Sequence, residues 1–330
     1  MKRAGWCESN HDSRITVLWN RQDAKRTRIL NHKGHEGHKG KYGNYSKTSA
    51  TMKPMSKLPW ALPRAFTLAM LNVLALASCQ SVQTTQPGAV GVERQQAMML
   101  SSAEVNKASV QAYQQTMQQA AKKGVLNRNP AQVARVRGIA QRLIPATASF
   151  RPDAPGWTWE VNVISSSEVN AWCMPGGKIA VYTGLIEKLG VTDEELAAVM
   201  GHEIAHALRE HGRERASQQA AQGAVIGIGA ALLGIGDAGA SLVNVVANVT
   251  IGLPYSREFE VEADRIGVEL AARAGYDPRA AVTLWQKMGQ GGGSAPPQFL
   301  STHPSPQNRA RDLTDYASRV MPLYESAHKR

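Results

Sequence analysis

The spacing of apolar and polar positions predicts helices before and after a pair of short strands. Helices are expected over 101–123 and 130–144, because Asn129-Pro130 is a helix start signal and Pro145 a stop signal. From Trp157 the apolar residues recur at every second position, which is typical of a half-buried strand. A second strand, Lys178 to Tyr182, follows Pro175-Gly176-Gly177. A small antiparallel sheet is therefore expected.

The second half of the chain is predicted to be mainly helical. A long helix should run from Asp193 to about Gln219, because Thr192 and Glu195 fit a capping box. Further helices are expected over 258–274 and from 277 to about 288. The Ala- and Gly-rich stretch 223–253 is divided at 234–237 into runs too short to span a membrane, which favours buried or membrane-touching helices. The expected fold class is α+β, mainly α.

The N-terminal part has the features of a secreted precursor. From Met52, a basic segment and an apolar segment lead to Leu76-Ala77-Ser78-Cys79. This ending resembles the lipobox of bacterial lipoproteins, in which the cysteine is lipidated and becomes the mature N-terminus. We therefore divide the chain into a non-native or disposable extension (1–51), a lipoprotein signal peptide (52–78), a lipidated tether (79–94) and a main domain (95–330).

Charge and cysteine content narrow the classes of partner. The net charge of +12 raises the question of nucleic acid, but the basic excess lies upstream of Cys79 and the rest of the chain is close to neutral. No basic stripe interleaved with aromatic residues remains, so we expect no nucleic-acid partner. Three cysteines define no disulfide framework, and Cys173 is expected to be a packed thiol.

The segment His202-Glu203-Ile204-Ala205-His206 carries the candidate chemistry. On a helix, residues four apart share a face, so the two imidazoles can converge on one zinc ion. Glu203 lies beside them and is suited to act as a general base on water. His211 is five residues beyond His206, off that face, and is expected to be exposed or to lie behind the ligands.

A third zinc ligand is expected from the segment 256–264. Glu260 and Asp264 are also four residues apart, so one carboxylate can bind the metal while the other accepts a hydrogen bond from a ligand imidazole. Glu258 and Glu262 are the competing ligands in the same segment. The spacing alone does not decide among them.

As a set, these motifs resemble the HtpX/Oma/CAAX-protease type of HExxH zinc metallopeptidases, particularly its periplasmic and lipoprotein branch. The resemblance covers roughly residues 95–320 and rests on four segments: Asn170 to Ile179, His202 to His206, Glu260 to Arg265, and Thr302-His303-Pro304 with Arg309. It implies a gluzincin-like core of helices on a small sheet, and it makes the main domain a zinc metallopeptidase domain.

The resemblance also implies roles for individual residues. Glu260, rather than Glu262, would bind zinc, and Asp264 would orient a ligand histidine. His303 and Arg309 would lie near the metal, where His303 either stabilises the oxyanion or plugs the resting site. The plug is favoured, because a protease among envelope proteins benefits from a closed resting state.

The expected activity is that of an endopeptidase with one zinc per chain. Glu203 would take a proton from the attacking water and return it to the leaving amine. An extended polypeptide would add to the strand at Gly177, Lys178, Ile179, Ala180 and Val181, which is predicted to be a sheet edge. Unfolded or misassembled envelope proteins are the expected substrates.

By resemblance, the expected location is the periplasmic face of the outer membrane, with attachment through a lipid on Cys79 and with envelope assembly or chaperone partners as candidates.

Two alternatives to a lipid-anchored protease stay open. One is an assembly factor whose zinc is merely structural, although such a site needs no base and Glu203 argues against it. The other is an integral membrane protease that uses 223–253 as spans.

Overall fold

The computed structural model describes residues 80–231, 238–290, 298–304 and 308–329. The predicted extension, the signal peptide and Cys79 lie outside these residues. The strands are β1 (Gln80–Val82), β2 (Gln96–Met98), β3 (Glu160–Ile164), β4 (Ala171–Met174) and β5 (Lys178–Tyr182). The helices are α1 (Ser102–Lys122), α2 (Pro130–Ala146), α3 (Thr183–Leu189), α4 (Asp193–Leu208), α5 (His211–Ala231), α6 (Ala238–Ala247), α7 (Arg257–Arg273), α8 (Ala280–Gln290), α9 (Gln298–Thr302) and α10 (Arg309–Ala327).

The expected fold class, α+β and mainly α, is confirmed. Short 3-10 turns follow α2, at Thr147–Ser149 and Ala154–Gly156, and a π-helical turn, Asn248–Gly252, follows α6. Helices α4 and α7 form the centre of the domain, with α2, α8 and α10 packed around them. Within the described residues, no helix is long and apolar enough to cross a membrane.

Helices α4 and α7 touch through their backbones at a pair of glycines. A Cβ atom on Gly201 would lie 2.8 Å from the carbonyl oxygen of Gly267, and one on Gly267 would lie 2.7 Å from the backbone nitrogen of His202. No other residue type fits such an approach without moving the helices apart. The contact therefore sets the distance between the HExxH segment on α4 and the acidic residues of α7.

The long helix predicted over 193–219 is interrupted. The capping box is present, since the Thr192 side chain accepts from the backbone of Glu195 and Glu195 accepts from the backbone of Thr192. However, α4 ends at Leu208, and α5 begins at His211 after Glu210 adopts a left-handed conformation with φ of 50°. The carboxylate of Glu210 forms salt bridges with Arg151 and Arg213, each at 2.7 Å. These tertiary contacts stabilise a break that local helix propensity does not predict.

The three-stranded sheet differs from the predicted antiparallel sheet in its order, β3-β5-β4. β4 and β5 form an antiparallel hairpin, whereas β3 pairs with β5 in parallel along the other side. β5 is therefore the central strand, and the prediction that Gly177, Lys178, Ile179, Ala180 and Val181 form a free edge is wrong. The backbone groups of Lys178 to Val181 are already used by the two neighbouring strands, and the edge strand that packs on α4 is β4.

The predicted tether, 79–94, is part of the folded domain where the structure describes it. β1 pairs with β2 in antiparallel fashion, and Val90 and Val92 are buried in the main hydrophobic core. The backbone N–H of Val90 donates to Glu269 on α7 at 3.0 Å, and that of Gln86 donates to the carbonyl oxygen of Phe150 at 2.7 Å. A segment with these contacts does not behave as a free linker, so the predicted boundary at residue 95 is wrong.

Residues 242–247 of the Ala- and Gly-rich stretch form a partly buried part of α6 that packs on α1. Val246 on α6 lies in a small apolar cluster with Val105 and Ala108 of α1, and Leu242 and Val243 pack against it. The following π-helical turn contacts β4. This packing agrees with the buried-helix interpretation over 242–252, while residues 232–237 lie outside the described ranges.

Candidate metal centre

Four buried side chains from three segments direct one atom each to a common point: His202, His206, Glu260 and His303. The Nε2 atoms of His202 and His206 are 3.1 Å apart, and they lie 3.5 and 3.4 Å from the two carboxylate oxygens of Glu260. Nδ1 of His303 is 3.2 Å from His202 Nε2 and 2.9 Å from Glu260 Oε1.

These spacings, 2.9 to 3.5 Å, are equal to or slightly below those between the ligand atoms of a tetrahedral zinc ion. Zinc binds imidazole nitrogen and carboxylate oxygen at about 2.0–2.2 Å, so tetrahedral ligand atoms lie roughly 3.3–3.6 Å from one another. The nitrogen and oxygen donors are of the type that zinc selects. The four potential ligand atoms all lie within 4.8 Å of one another in a buried site.

Glu260 lies at the start of α7 and is fully buried. Ser256 caps this helix by accepting from the backbone N–H of Phe259 at 3.2 Å, which fixes the first turn. Arg309 Nη2 lies 3.2 Å from Glu260 Oε2. Although burial raises the pKa of Glu260, the electrostatic interaction with His303 and hydrogen bonds with His202 and His206 hold that pKa well below its usual range. Glu260 therefore presents a carboxylate, which is the form that binds a metal.

A carboxylate contacts the His202 ring at Nδ1, the nitrogen that faces away from the ligand cluster. This Nδ1 lies 3.0 Å from Asp264 Oδ1, and Arg309 Nη2 donates to the same oxygen at 2.7 Å. Burial lowers the pKa of His202, but hydrogen bonds to Asp264 and Glu260 outweigh it and raise that pKa to about 9. Zinc binds neutral imidazole. A zinc ion and a proton would therefore compete for the Nε2 atom of His202. The structure thus places Asp264 where the resemblance implied.

His206 is held by a different arrangement. Its Nδ1 lies 2.9 Å from Nδ1 of His211, whose Nε2 lies 3.0 Å from Glu262 Oε2. His211 is fully buried, so the alternative that it is exposed is wrong, and the alternative that it lies behind the ligands agrees with the structure. The ring of Tyr255 stacks on His206 with centroids 4.1 Å apart. Burial lowers the pKa of both imidazoles.

Glu203 lies next to the four ligands without joining them. It is buried, and no described residue forms a hydrogen bond with its Oε1. Nε2 of His303 is 3.5 Å from that oxygen. Burial raises the pKa of Glu203, as expected for a group that must accept and return a proton near neutral pH. A buried carboxylate oxygen without a hydrogen-bond partner among the described residues is available to accept a proton from a water molecule.

His303 occupies the fourth corner of the ligand set. It follows α9, its ring stacks on Phe299 with centroids 4.2 Å apart, and it is buried. Near His303, the guanidinium of Arg309 lies over the ring of Trp285, with its central carbon 3.1 Å from the ring centroid. With His303 in place, all four corners of a tetrahedral zinc site come from protein side chains, which corresponds to the plugged alternative.

Other predicted residues do not reach the metal centre. The Lys178 ammonium pairs with Glu160 at 2.9 Å and contacts the backbone oxygen of Thr158, and the strand it belongs to has partners on both sides. Cys173 on β4 is a buried free thiol, and burial together with the charge of Glu203 raises its pKa well above the usual value. Cys173 is therefore a protonated thiol packed in the core, which agrees with the packed thiol predicted from its sequence context.

Sequence reasoning missed Tyr255 and left open whether His211 is exposed or lies behind the ligands. Tyr255 immediately precedes the capping residue of α7, so its position at the entry to an acidic helix was the available signal. For His211 no local signal was available, because the break at Glu210 decides where that side chain points. Both residues contact His206, the ligand nearest to the end of α4.

An HExxH helix whose two histidines meet a glutamate from a second helix defines the gluzincin class of metallopeptidase sites. The chain belongs to peptidase family M48, whose model matches residues 130–317, more than half of the chain. The family implied by the motifs is thereby confirmed.

Named relatives share this region. The chain is 42% identical over 161 residues to the mitochondrial metalloendopeptidase OMA1 of Arabidopsis thaliana, an alignment that covers 48% of this chain and 31% of the relative. The mitochondrial metalloendopeptidase OMA1 of Bos taurus is 32% identical over 225 residues, with 63% and 41% covered. The β-barrel assembly-enhancing protease of Escherichia coli K12 is 32% identical over 171 residues, with 49% and 35% covered. The chain thus spans less than half the length of these relatives.

Proposed function

We propose that this chain is a zinc-dependent endopeptidase in which His202, His206 and Glu260 hold one zinc ion and Glu203 is the general base. The observation that carries the proposal is the buried cluster of ligand atoms, all within 4.8 Å of one another, beside a Glu203 oxygen that has no hydrogen-bond partner among the described residues. When bound, zinc would polarise the scissile carbonyl and lower the pKa of a water molecule. Glu203 would accept the proton of that water and pass it to the leaving amine.

The test of this proposal separates the base from the ligands. Glu203→Gln should retain about one zinc per chain, because the residue does not bind the metal, and should lose proteolysis by several orders of magnitude. Zinc content and casein cleavage are measured on the same samples. Glu195→Gln, a buried glutamate at the other end of α4, is the matched control and should cleave like the wild type. Near wild-type cleavage by Glu203→Gln would overturn the enzymatic assignment.

We propose that His303 is a gate. In its present position His303 Nδ1 fills the corner that water and substrate need, so catalysis requires the side chain to leave. His303→Ala should then cleave casein at least as fast as the wild type at matched zinc content. If His303 is instead the oxyanion donor, the same change lowers turnover by roughly a hundredfold or more.

The order of the strands in the sheet makes β4 the candidate strand for substrate binding. β4 is an edge strand, it packs on α4, and its partner β5 has both sides occupied. An extended polypeptide could add to such an edge by main-chain hydrogen bonds, which favours unfolded or flexible substrates. The name of the Escherichia coli relative, a β-barrel assembly-enhancing protease, supports envelope proteins as the substrate class. The OMA1 relatives are named as mitochondrial, so envelope quality control remains part of the proposal.

We propose that the mature chain is an outer-membrane lipoprotein that faces the periplasm. The support is the lipobox-like Leu76-Ala77-Ser78-Cys79 after a signal peptide that starts at Met52. Cys79→Ser should abolish incorporation of radiolabelled palmitate and release the protein from membranes without detergent. A labelled Cys79→Ser product, or a mature N-terminus upstream of Met52, would contradict this location.

A zinc-stabilised assembly factor is the second candidate. The observation in its favour is the fourth protein ligand, because structural zinc sites have four protein ligands and catalytic sites keep one position open. This candidate predicts that His303→Ala weakens zinc binding and yields no cleavage. The protease proposal predicts cleavage by the same variant.

A further inference from the structure

We infer that His211, Glu262 and Arg94 form a series of hydrogen bonds that positions the ligand His206, so that the N-terminal segment 83–98 is part of the metal centre. The inference rests on the proposed zinc site. It assigns a positioning role to His211, to the glutamate that was the competing ligand, and to an arginine of the predicted tether.

The hydrogen-bond distances allow one assignment of the protons once His206 binds a metal through Nε2. His206 Nδ1 then carries a hydrogen and must donate it to Nδ1 of His211, 2.9 Å away. The proton of neutral His211 is consequently on Nε2, where Glu262 Oε2 accepts it at 3.0 Å. Each contact has one donor and one acceptor, so the series fixes both the tautomer and the ring orientation of His206.

Two arginines donate to Glu262, the carboxylate at the end of this series of hydrogen bonds. Arg209 Nε donates to Glu262 Oε2 at 2.8 Å, and Arg94 Nε donates to Glu262 Oε1 at 2.6 Å. A carboxylate that lies between two guanidinium groups is a strong acceptor for the hydrogen bond from His211.

The break between α4 and α5 makes this contact geometrically accessible. In a continuous helix, a residue five positions after His206 would point about 140° away from it. The left-handed Glu210 turns the chain so that His211 faces His206 instead. The ring of His211 is also held by Phe259, with which it stacks at 4.4 Å and an interplanar angle of 1°.

Arg94 brings the N-terminal segment into the arrangement. Its guanidinium also forms a two-pronged contact with Glu214 on α5, at 2.7 and 2.8 Å. Gln96 on β2 donates to Glu214 at 2.7 Å and to the carbonyl oxygen of Arg209 at 2.6 Å. Residues 94–96 are thus joined to both sides of the helix break. Displacement of this segment would remove one of the two charges that stabilise Glu262.

The test measures how fast bound zinc is released to a chelator by the full chain. His211→Phe keeps an aromatic ring against Phe259 and removes both hydrogen bonds, so release should accelerate roughly ten- to a hundredfold. Glu262→Gln keeps an acceptor and loses the charge, so its release rate should lie between those of His211→Phe and the wild type. The control is Glu269→Gln, a buried glutamate on the same helix that accepts from Val90 and Arg273, and its release rate should stay within about twofold of the wild type.

A spectroscopic signal separates positioning from general destabilisation. The visible absorption of the cobalt-substituted chain reports ligand geometry, so we expect it to change in His211→Phe and to be unchanged in Glu269→Gln. Wild-type zinc release and an unchanged cobalt spectrum in His211→Phe would overturn the inference alone. If His211→Phe does not fold, Glu262→Gln decides by the same two readouts. A wild-type chain that binds no zinc would overturn the metal centre and this inference together.

Discussion

The two ligand histidines of α4 are supported in different ways. His202 meets a carboxylate directly, Asp264 at 3.0 Å, and that carboxylate is held by Arg309 from α10. His206 meets a second imidazole, His211, and reaches its carboxylate, Glu262, only through it. The charges behind Glu262 come from Arg209 and from Arg94 in the N-terminal segment.

The difference shows that the metal centre is assembled from both ends of the described chain. The support of His202 depends on the C-terminal helix, and the support of His206 depends on residues before α1. The direct support has one hydrogen bond between carboxylate and ligand, whereas the indirect one has two in series. We therefore expect the direct support to be the more sensitive to a single substitution.

The largest effect is expected from breaking the direct support. Asp264→Ala leaves the buried His202 Nδ1 without its acceptor and removes one partner of buried Arg309, so the free energy of unfolding should fall by about 3–5 kcal/mol. Zinc affinity should also fall at least tenfold. Urea unfolding and zinc titration measure the two quantities. Asp264→Asn keeps an acceptor oxygen and should show smaller losses, and equal losses would argue against the hydrogen-bond explanation.

A smaller effect is expected from moving the helices that carry the direct support. Gly267→Ala places a methyl group 2.7 Å from the backbone nitrogen of His202, which should cost about 1–3 kcal/mol of stability and weaken zinc binding. The control is Gly289→Ala on α8, where nothing lies within 4 Å of the added methyl group, so that change should be neutral or stabilise by up to about 1 kcal/mol. Thermal unfolding in the presence of chelator compares the two variants. Equal stability would contradict the close packing of α4 on α7.

Arg94→Met tests the outer end of the indirect support. Arg209 still holds Glu262 at 2.8 Å in this variant, so we expect a loss of about 1–2 kcal/mol of stability and a release of zinc slower than that of His211→Phe. Urea unfolding and chelator-driven zinc release give both values. A larger loss than that of Asp264→Ala would reverse the ranking of the two supports.

The smallest effect is expected from an ion pair at the other end of α4, away from both supports. Lys287 contacts Glu195 at 2.6 Å, and although burial raises the pKa of Glu195, this contact and the capping bonds lower it below its usual 4.5. A lowered folded-state pKa contributes stability that is present above pH 4.5 and is lost as the pH falls below it. Because Lys287 is partly exposed, the contribution should be below about 1 kcal/mol. Glu195→Gln should therefore show a slightly weaker loss of stability between pH 5 and pH 3, and an unchanged acid profile would contradict it.

The sequence predicted the elements better than their arrangement. The strand 178–182 and the start of α4 at Asp193 agree with the structure, because alternation and capping are local signals. The central position of β5 depends on which strand docks beside it, and no local pattern reports that. The burial of Val90 and Val92 likewise depends on distant parts of the main core, so a polar segment that contains Pro and Gly predicts a tether from its local pattern.

The site was partly predictable for the same reason. Residues four apart on a helix face one way, so the histidine pair follows from spacing, whereas the choice of Glu260 over Glu258 and Glu262 depends on the resemblance. The place of His211 follows from the left-handed Glu210, a non-glycine residue held by Arg151 and Arg213. A conformation stabilised by distant side chains leaves no trace in the spacing of the residues around it.

X-ray absorption at the zinc edge of the wild-type chain tests the central claim most directly. The account predicts about one zinc per chain with four nitrogen or oxygen ligands near 2.0–2.2 Å, three of them imidazoles, and no sulfur ligand near 2.3 Å. It also predicts that Glu260→Gln loses most of the metal, because the carboxylate is one of the ligands. A sulfur ligand, or a full zinc content with an unchanged spectrum in Glu260→Gln, would contradict the site described by His202, His206, Glu260 and His303.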